Sequence, residues 1–382
     1  MEEQKANVDE LIKRLPEGYE QACEDTKAIE RKREIKRAVD LIKLVLLYLT
    51  GGYSQIEMSI IAQELGIANI GDTGFLKKFA KCREWLSWIV LQIIPASIIE
   101  YTIPKAFENY RIVALDASDV SEKGRSGRIF RLHYAIDLVK MCSLSYRITA
   151  QKAGETLLNF DIKKNWLVLA DRIYGTLTGI EHCLKASANF ILRLRHGAFK
   201  IYDKDGKELN LLDKLLNVTS DTAIDIEAYV KLTALGFTKL RVCAVKIPDD
   251  KLANIERRNK RKDSKKQRTT SIKAIEMSKY VVVITAIPNT VAASEIISLY
   301  RFRWQVEIYF KRLKSIIDFG NIPLKREDSI YTWLNGKLLI SLLIEQMISE
   351  VPFSPCVSEN AKYLERSENY LSNDSGKHFT IG

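Results

Sequence analysis

The most informative part of the chain is residues 300–314, which read YRFRWQVEIYFKRLK. Written as one helix, this stretch places five polar side chains on a single face, because residues three, four and seven positions apart are neighbours there. The five are Tyr300, Arg303, Glu307, Lys311 and Lys314. An apolar stripe borders them and must face a core. The pattern predicts a partly desolvated carboxylate suited to metal binding and phosphate chemistry. A solvated face of an amphipathic helix is the alternative interpretation.

Length and charge give the broad class of the protein. A chain of 382 residues exceeds the usual size of a single core, so two or three domains are expected. A hydrophobic content of 46% with 28% charged residues is typical of a globular protein. The net charge of +11 and the isoelectric point near 9.2 favour a polyanionic partner.

Cysteine usage and hydropathy exclude several classes of protein. The six cysteines are scattered singly without a Cys-x-x-Cys pair, which argues against a zinc ribbon or a redox motif. Single thiols fit a reducing compartment. The N-terminus lacks the apolar core of a signal peptide, and the apolar run near residues 39–49 is far below the roughly 20 residues that a membrane span needs. We therefore expect a cytoplasmic protein without a membrane segment.

Residues 1–105 read as a helical domain with a possible role in DNA binding. Ser54 is a candidate N-cap, and Glu57 three residues later completes a capping box. This helix and a second one predicted over residues 73–94, which carries several lysines, resemble a helix-turn-helix that could enter a major groove. A plain helical hairpin is an equally good interpretation.

From residue 106 the periodicity changes to that of strands. Residues 111–117 form an apolar run that ends at Asp116, and residues 166–170 form a buried-type strand that ends at Asp171. Two strands between them suggest an antiparallel meander, and a strand–helix–strand order follows. We therefore predict a mixed α/β sheet with crossover helices, built from residues 106–195 and 280–320.

Residues 196–279 differ from their surroundings and predict a β-rich insertion into that core. Asp205-Gly206 signals a hairpin, and two further strands follow. Eight of the twelve residues at 257–268 are Lys or Arg. Such a block is solvated, and it predicts either a clamp for phosphates or a surface loop that aids solubility. Residues 321–382 read as a C-terminal helical region with a loose tail.

Three acids stand out against this framework: Asp116, Asp171 and Glu307. Carboxylates at the ends of neighbouring strands can converge, and hard divalent cations prefer oxygen ligands. Two ions roughly 3.5–4 Å apart can activate a water and stabilise a leaving oxygen in phosphodiester cleavage. Taken singly, each aspartate is as well explained as a turn former or a helix cap. The specific signal is their occurrence together with the pattern at residues 300–314.

The spacing Tyr-x2-Arg-x3-Glu-x6-Lys, met by Tyr300, Arg303, Glu307 and Lys314, resembles the signature of bacterial insertion-sequence transposases of the DDE type, insertion-sequence-4 group. Three further blocks are also similar to that family, and they read RLHYAIDL (131–138), GETL (154–157) and ADRIYG (170–175). The resemblance covers about residues 35–350. It implies a ribonuclease-H-like catalytic core interrupted by a β-rich insertion, with helices at both ends.

The resemblance also implies an activity. Asp116, Asp171 and Glu307 take the places of the catalytic and metal-binding triad, with two Mg²⁺ ions for which Mn²⁺ can substitute. Tyr300, Arg303 and Lys314 match positions that hold terminal phosphates in that family. Lys311 and Arg172 are further candidate DNA-binding residues. The implied reaction is cut-and-paste transposition through a hairpin intermediate. Its partners are the inverted-repeat ends of a transposon and target DNA, with a homodimer on the DNA in the bacterial cytoplasm, associated with the nucleoid.

Two other functions remain open at this point. A structure-specific nuclease on the same core would cut DNA without preference for an end sequence. A non-catalytic DNA-binding regulator would act through residues 54–94 and would not need Asp116 or Asp171. One departure from the family is that Ala-Ser follows Asp116, where many relatives have Gly followed by Ser or Thr.

Overall fold

The computed structural model describes most of the chain in nine segments. These are residues 2–93, 104–122, 127–140, 142–216, 218–220, 222–267, 269–316, 318–319 and 321–349. The predicted C-terminal tail lies outside them. Within the described segments, no helix is both long enough and apolar enough to cross a bilayer.

The strands of the described residues are labelled β1 to β9 in chain order. They are β1 (Arg111–Glu122), β2 (Ile129–Asp137), β3 (Cys142–Ala150), β4 (Trp166–Ala170), β5 (Asn189–Arg193), β6 (Ile224–Leu232), β7 (Gly236–Lys246), β8 (Tyr280–Thr285) and β9 (Asn321–Ile322). The α-helices are labelled α1 to α13 in the same way. They are α1 (Glu2–Ile12), α2 (Tyr19–Asp25), α3 (Ala38–Gly51), α4 (Gln55–Glu64), α5 (Asp72–Lys81), α6 (Arg83–Ile93), α7 (Leu177–Lys185), α8 (Leu211–Leu215), α9 (Asp249–Lys266), α10 (Ile272–Met277), α11 (Ala293–Arg301), α12 (Trp304–Ile316) and α13 (Glu327–Ser349).

The chain groups into two compact units. Among the described residues, the first unit holds those within 1–101, 116–154 and 305–352, and the second holds those within 102–115 and 155–304. The boundary between the two units falls within β1, between residues 115 and 116. The four domain ranges predicted from the sequence stay predictions.

In the second unit, the sheet order is β1-β4-β5-β8-β7-β6. Strands β1, β4 and β5 are parallel, and β8, β7 and β6 continue the sheet in antiparallel fashion. Helix α7 connects β4 to β5, and its N-cap is Thr176, whose hydroxyl accepts a hydrogen bond from the Gly179 amide. The predicted mixed α/β architecture of ribonuclease-H type is confirmed.

In the first unit, β2 and β3 form an antiparallel pair, β2 lies next to β1, and β9 pairs with the end of β1 in parallel. Helix α13 packs against α3, α5 and α6. The packing is close at Gly336, where an added Cβ would lie 2.2 Å from Leu49 Cδ1. Asn335 extends this contact by donating to the Arg83 carbonyl over 3.2 Å.

At the N-terminal end, one helix prediction is confirmed and another is corrected. The capping box is present as predicted, with Ser54 and Glu57 bonded to each other's backbone at the start of α4. The single helix predicted over residues 73–94 is instead two helices, α5 and α6, with Cys82 as the C-cap of α5. Residues 65–71 link α4 to α5, a longer connection than the roughly three or four residues of a helix-turn-helix turn. The lengths favour the plain helical hairpin.

The single helix predicted over residues 300–314 is also wrong. Helix α11 ends at Arg301, and α12 begins at Trp304. Between them the Phe302 and Arg303 amides donate to the carbonyls of Leu299 and Tyr300, three residues back, which tightens the chain into a turn. Three members of the predicted apolar stripe, Leu299, Val306 and Phe310, are buried as predicted. The side chains of the other two, Leu313 and Ile317, lie outside the described residues.

The segment predicted as a β-rich insertion contains helices as well as strands. Strands β6 and β7 lie in the sheet of the second unit, and β7 pairs directly with the core strand β8. The hairpin signal at Asp205-Gly206 is matched by a bridge between Tyr202 and Glu208. Most of the basic block at residues 257–268 belongs to α9 and does not form a loop.

Candidate active site

Asp171 stands at the end of β4 in the second unit. All five residues of β4 are buried, whereas Asp171 is half-buried and the next residue, Arg172, is exposed. The chain turns at once, since the Tyr174 amide donates to the Asp171 carbonyl over 2.9 Å. The turn packs tightly on the end of β5, because a Cβ on Gly175 would lie 2.6 Å from the Arg193 carbonyl oxygen. The predicted strand end at Asp171 is therefore confirmed.

Tyr300 lies in the same unit as Asp171, in the last turn of α11, and only 5% of it is exposed. The Arg303 guanidinium carbon is 5.7 Å from the centroid of its ring. Burial raises the pKa of Tyr300, and the negative charge of Asp171 also acts to raise it. The positive charges of Arg303 and Arg193 act to lower it. The structure thus brings Asp171, Tyr300 and Arg303 into one cluster, to which it adds Arg193.

Arg193 was not among the residues predicted from the sequence. It is the last residue of β5, the parallel neighbour of β4, and it follows three buried apolar residues. An arginine that closes an apolar run is a signal of the same kind as the aspartates that close the apolar runs of β1 and β4. It was missed because the strand order, which makes β4 and β5 neighbours, is not visible in the sequence.

Asp116 lies within β1, in the first unit, and is half-buried. Its Oδ1 accepts a hydrogen bond of 2.9 Å from the Ala117 amide. The predicted strand end at this residue is wrong, since β1 continues to Glu122. The extension has a physical cause, because Ser121 and Glu122 pair in parallel with Asn321 and Ile322 of β9.

Glu307, Lys311 and Lys314 all lie on α12, in the first unit. Glu307 occupies the first turn and is half-buried, whereas both lysines are exposed and Lys314 belongs to the last turn. Loss of surrounding water lowers the pKa of Lys314, and the negative charge of Asp119 opposes that shift. Asp119 itself accepts hydrogen bonds of 2.7 and 3.2 Å from Arg131. Lys314 therefore lies beside a paired carboxylate of β1.

The three predicted acids are divided between the units, with Asp116 and Glu307 in the first and Asp171 in the second. Among the described residues, no group of three acidic, histidine or cysteine side chains forms a cluster that could hold a metal ion. The convergence of the three acids stays a prediction. The donor chemistry fits a divalent cation, because all three side chains are half-buried carboxylates that offer only oxygen ligands.

Comparison with known proteins gives a consistent result. Residues 108–343 match the model of the family described as "Transposase DDE domain". The chain is 24% identical to the putative transposase InsL for insertion sequence element IS186A of Escherichia coli strain K12, over 87% of this chain and 91% of that protein. It is also 24% identical to the transposase for insertion sequence element IS421 of Escherichia coli, with the same shares covered.

The family match extends from just before β1 into α13, so it includes Asp116, Asp171 and Glu307 and also the interrupted pattern at residues 300–314. Enzymes of this family act on DNA and depend on divalent cations. The predicted resemblance to insertion-sequence transposases is confirmed by the family and by both relatives. The chain therefore belongs to the transposase DDE domain family and is an insertion-sequence DNA transposase, an enzyme of DNA cleavage and strand transfer.

Proposed function

We propose that the protein moves its own insertion sequence by a cut-and-paste reaction, with Asp116, Asp171 and Glu307 as the catalytic carboxylates. The observation that carries the proposal is the cluster in the second unit. There the negative charge of the half-buried Asp171 at a strand end acts on the buried Tyr300, whose ring centroid lies 5.7 Å from the Arg303 guanidinium carbon. A carboxylate beside a buried phenol and two arginines fits a site that holds a DNA phosphate next to a bound cation.

In this proposal the three carboxylates hold two Mg²⁺ ions, and Mn²⁺ can replace them. Divalent cations supply positive charge at the scissile phosphate, which favours deprotonation of the attacking hydroxyl and stabilises the leaving oxygen. Asp116 is the candidate shared ligand. Its place in the middle of a strand holds its backbone rigidly, and its Oδ1 is already oriented by the Ala117 amide. A rigid carboxylate loses little conformational freedom when it binds.

The cationic and aromatic residues are proposed to hold the DNA strand. Arg303 offers a planar fork to two phosphate oxygens, and Lys311 and Lys314 offer point charges. Tyr300 contributes its hydroxyl, which is buried next to Arg303. The exposed Arg172 extends this surface beside Asp171.

The proposed reaction begins with attack of water on the phosphate at a transposon end, which breaks the bond to the 3′ oxygen. The freed 3′ hydroxyl then attacks the opposite strand, and the result is a hairpin. After the hairpin opens, the same hydroxyl attacks target DNA. Joining two inverted-repeat ends to one target requires two active sites, so we propose a homodimer on the DNA, in the cytoplasm at the nucleoid. The N-terminal helices are proposed as a further DNA-binding region.

The test uses the purified protein, a duplex that carries an inverted-repeat end of its own element, and Mg²⁺ or Mn²⁺. We expect a nick at the end, followed by a hairpin that migrates as a single long strand on a denaturing gel. The Glu307→Gln variant should lose both products while it still binds the duplex. Removal of the divalent cation with a chelator should abolish cleavage by the wild-type protein.

A matched control is Glu108→Gln, because Glu108 is an exposed glutamate ahead of β1. This variant should cleave as the wild type does. Normal cleavage by Glu307→Gln would refute the proposed site. Cleavage that depends on duplex structure but not on the end sequence would refute transposition and favour a structure-specific nuclease.

A further inference from the structure

Helix α9, Asp249–Lys266, is the feature that the proposed reaction does not use. It belongs to the second unit and carries most of the basic block at residues 257–268. A strongly charged helix can be either a solvated surface without a partner or a surface that binds an anionic partner. Its hydrogen bonds and ion pairs distinguish the two possibilities.

One side of α9 is fixed to the rest of the second unit. Asn259 donates a hydrogen bond of 3.1 Å to the Ser278 hydroxyl at the end of α10. Asp263, four residues further on, accepts hydrogen bonds from the Thr270 amide over 2.9 Å and from its hydroxyl over 2.6 Å. Residues four apart share a helix face, so these bonds determine which side of α9 faces the unit.

The other side presents three exposed cations, Arg257, Lys260 and Arg261, which we call the α9 basic face. Within the described part of the chain, none of the three has an ion pair or a hydrogen bond. Several exposed lysines elsewhere in the same unit are paired with carboxylates, namely Lys163 with Asp161, Lys200 with Glu208 and Lys239 with Glu227. The α9 basic face differs from these in bringing three such cations, without a carboxylate partner among the described residues, onto adjacent turns of one helix. The α9 basic face is therefore positive charge that the protein does not neutralise.

The spacing of this face suits a nucleic-acid backbone. Arg257 and Arg261 are four residues apart, which corresponds to about 6 Å along a helix axis. Successive phosphates on one strand of a DNA duplex advance by about 3.4 Å along the duplex axis, so every second phosphate advances by about 7 Å. Arginine side chains can donate two hydrogen bonds to one phosphate. Cations at this interval can bind nearby phosphates of one strand together.

We propose that the α9 basic face binds the phosphate backbone of double-stranded DNA without preference for sequence. The inference rests on the action of the enzyme on DNA, and it does not depend on the cut-and-paste mechanism. Contacts to phosphates position a protein on a duplex but do not read bases. The face therefore adds affinity for any duplex that reaches the second unit.

The test is the salt dependence of DNA binding by the full chain, measured without divalent cations so that no cleavage is required. Each phosphate contact contributes about 0.9 to the slope of log affinity against log salt concentration. The triple variant R257Q/K260Q/R261Q should therefore lower that slope by about 2 to 3 and lower the affinity at 0.1 M salt at least about tenfold. The loss should be equal on an inverted-repeat duplex and on a duplex of random sequence.

The matched control is K163Q/K200Q/K239Q, which removes the same charge from three exposed lysines of the same unit that are already paired with carboxylates. Its slope should stay that of the wild type. Glutamine is a good helix former, so α9 should persist, and a thermal unfolding curve checks this. An unchanged slope in the α9 variant, or an equal fall in the control, would overturn the proposal. So would a loss confined to the inverted-repeat duplex, or a change in oligomeric state without a change in slope.

Failure of this proposal and failure of the proposed reaction can be told apart. If the wild-type protein does not cleave its own ends, cut-and-paste transposition is refuted, but the salt slope still measures the phosphates that the chain contacts. If the α9 variant binds with the slope of the wild type while wild-type cleavage is normal, only the α9 basic face is refuted.

Discussion

Strands β1 and β4 carry the two predicted catalytic aspartates, and the ends of the two strands differ. Both sequences are short apolar runs closed by an aspartate. Strand β4 ends at Ala170, directly before Asp171, whereas β1 passes Asp116 and continues to Glu122. The same local pattern therefore gives a strand end in one case and the middle of a strand in the other.

The difference lies in what each chain meets after its aspartate. After Asp171, the chain makes a tight turn whose Gly175 packs against the Arg193 carbonyl, and the chain cannot remain extended. After Asp116, the chain finds a new partner in β9, and the Glu122 carboxylate is fixed by Arg128. Local turn chemistry stopped β4, and a distant segment of the sequence prolonged β1.

The largest expected effect concerns the two aspartates themselves. If both are metal ligands, the difference between the strands does not matter to chemistry, and Asp116→Asn and Asp171→Asn should be equally inactive. Losing a ligand removes several kcal/mol of transition-state stabilisation, which corresponds to a fall of about 10³-fold or more in cleavage rate. Single-turnover cleavage of an inverted-repeat duplex with Mg²⁺ measures this.

The control is Asp250→Asn, since Asp250 is an exposed aspartate in the first turn of α9. It should cleave at the rate of the wild type. If either Asp116→Asn or Asp171→Asn retained wild-type cleavage, that aspartate would be a structural residue and the comparison between the two strands would lose its functional basis.

A smaller effect is expected at the turn that ends β4. In Gly175→Ala the new Cβ would lie 2.6 Å from the Arg193 carbonyl oxygen, so the turn or the end of β5 must shift. Overpacking of this kind costs about 1–3 kcal/mol. The variant should unfold at lower urea concentration and cleave more slowly, because the turn begins at Asp171.

Gly74→Ala serves as the control for that substitution, because an added Cβ there would make only an ordinary contact, 3.7 Å from Ile70 Cβ. Its urea midpoint should not fall, since alanine is a better helix former than glycine within α5. Gly175→Ala with a wild-type midpoint would show that the turn is loosely packed, and the account of why β4 ends would then be wrong.

The smallest effect is expected at the far end of β1. Burial acts to raise the pKa of Glu122, but hydrogen bonds from the Arg128 side chain and amide outweigh it, so the pKa lies below its usual value of 4.5. A carboxyl group with a lowered pKa stabilises the folded state above its unfolded value, and the stabilisation is lost as the pH falls through the folded value. Glu122→Gln should lower the free energy of unfolding by about 1 kcal/mol at pH 7.

The difference between this variant and the wild type should shrink as the pH is lowered below 4.5. Urea unfolding at several pH values measures it, with Glu108→Gln as the exposed control. A difference that is constant across the acidic range would mean that the Glu122 charge does not stabilise the end of β1.

The pattern at residues 300–314 shows how far sequence periodicity reaches. It correctly predicted that Leu299, Val306 and Phe310 face a core, because burial of apolar side chains follows their spacing. It missed the turn at Phe302 and Arg303, since no glycine or proline marks the break. The turn leaves Tyr300 buried in the second unit and Glu307 half-buried in the first, which spacing along one helix could not predict.

The sequence alone determined the mixed α/β class, the buried strand β4, the capping box at Ser54 and the family, because these depend on local hydrophobic patterns and on residue identities at short spacing. Only the tertiary structure decided that β1 continues past Asp116, that the basic block is part of a helix fixed along one side, and that Arg193 lies near Tyr300. Each of these depends on a partner far away in the chain, and pairing between distant segments leaves no periodic trace in the sequence of either one.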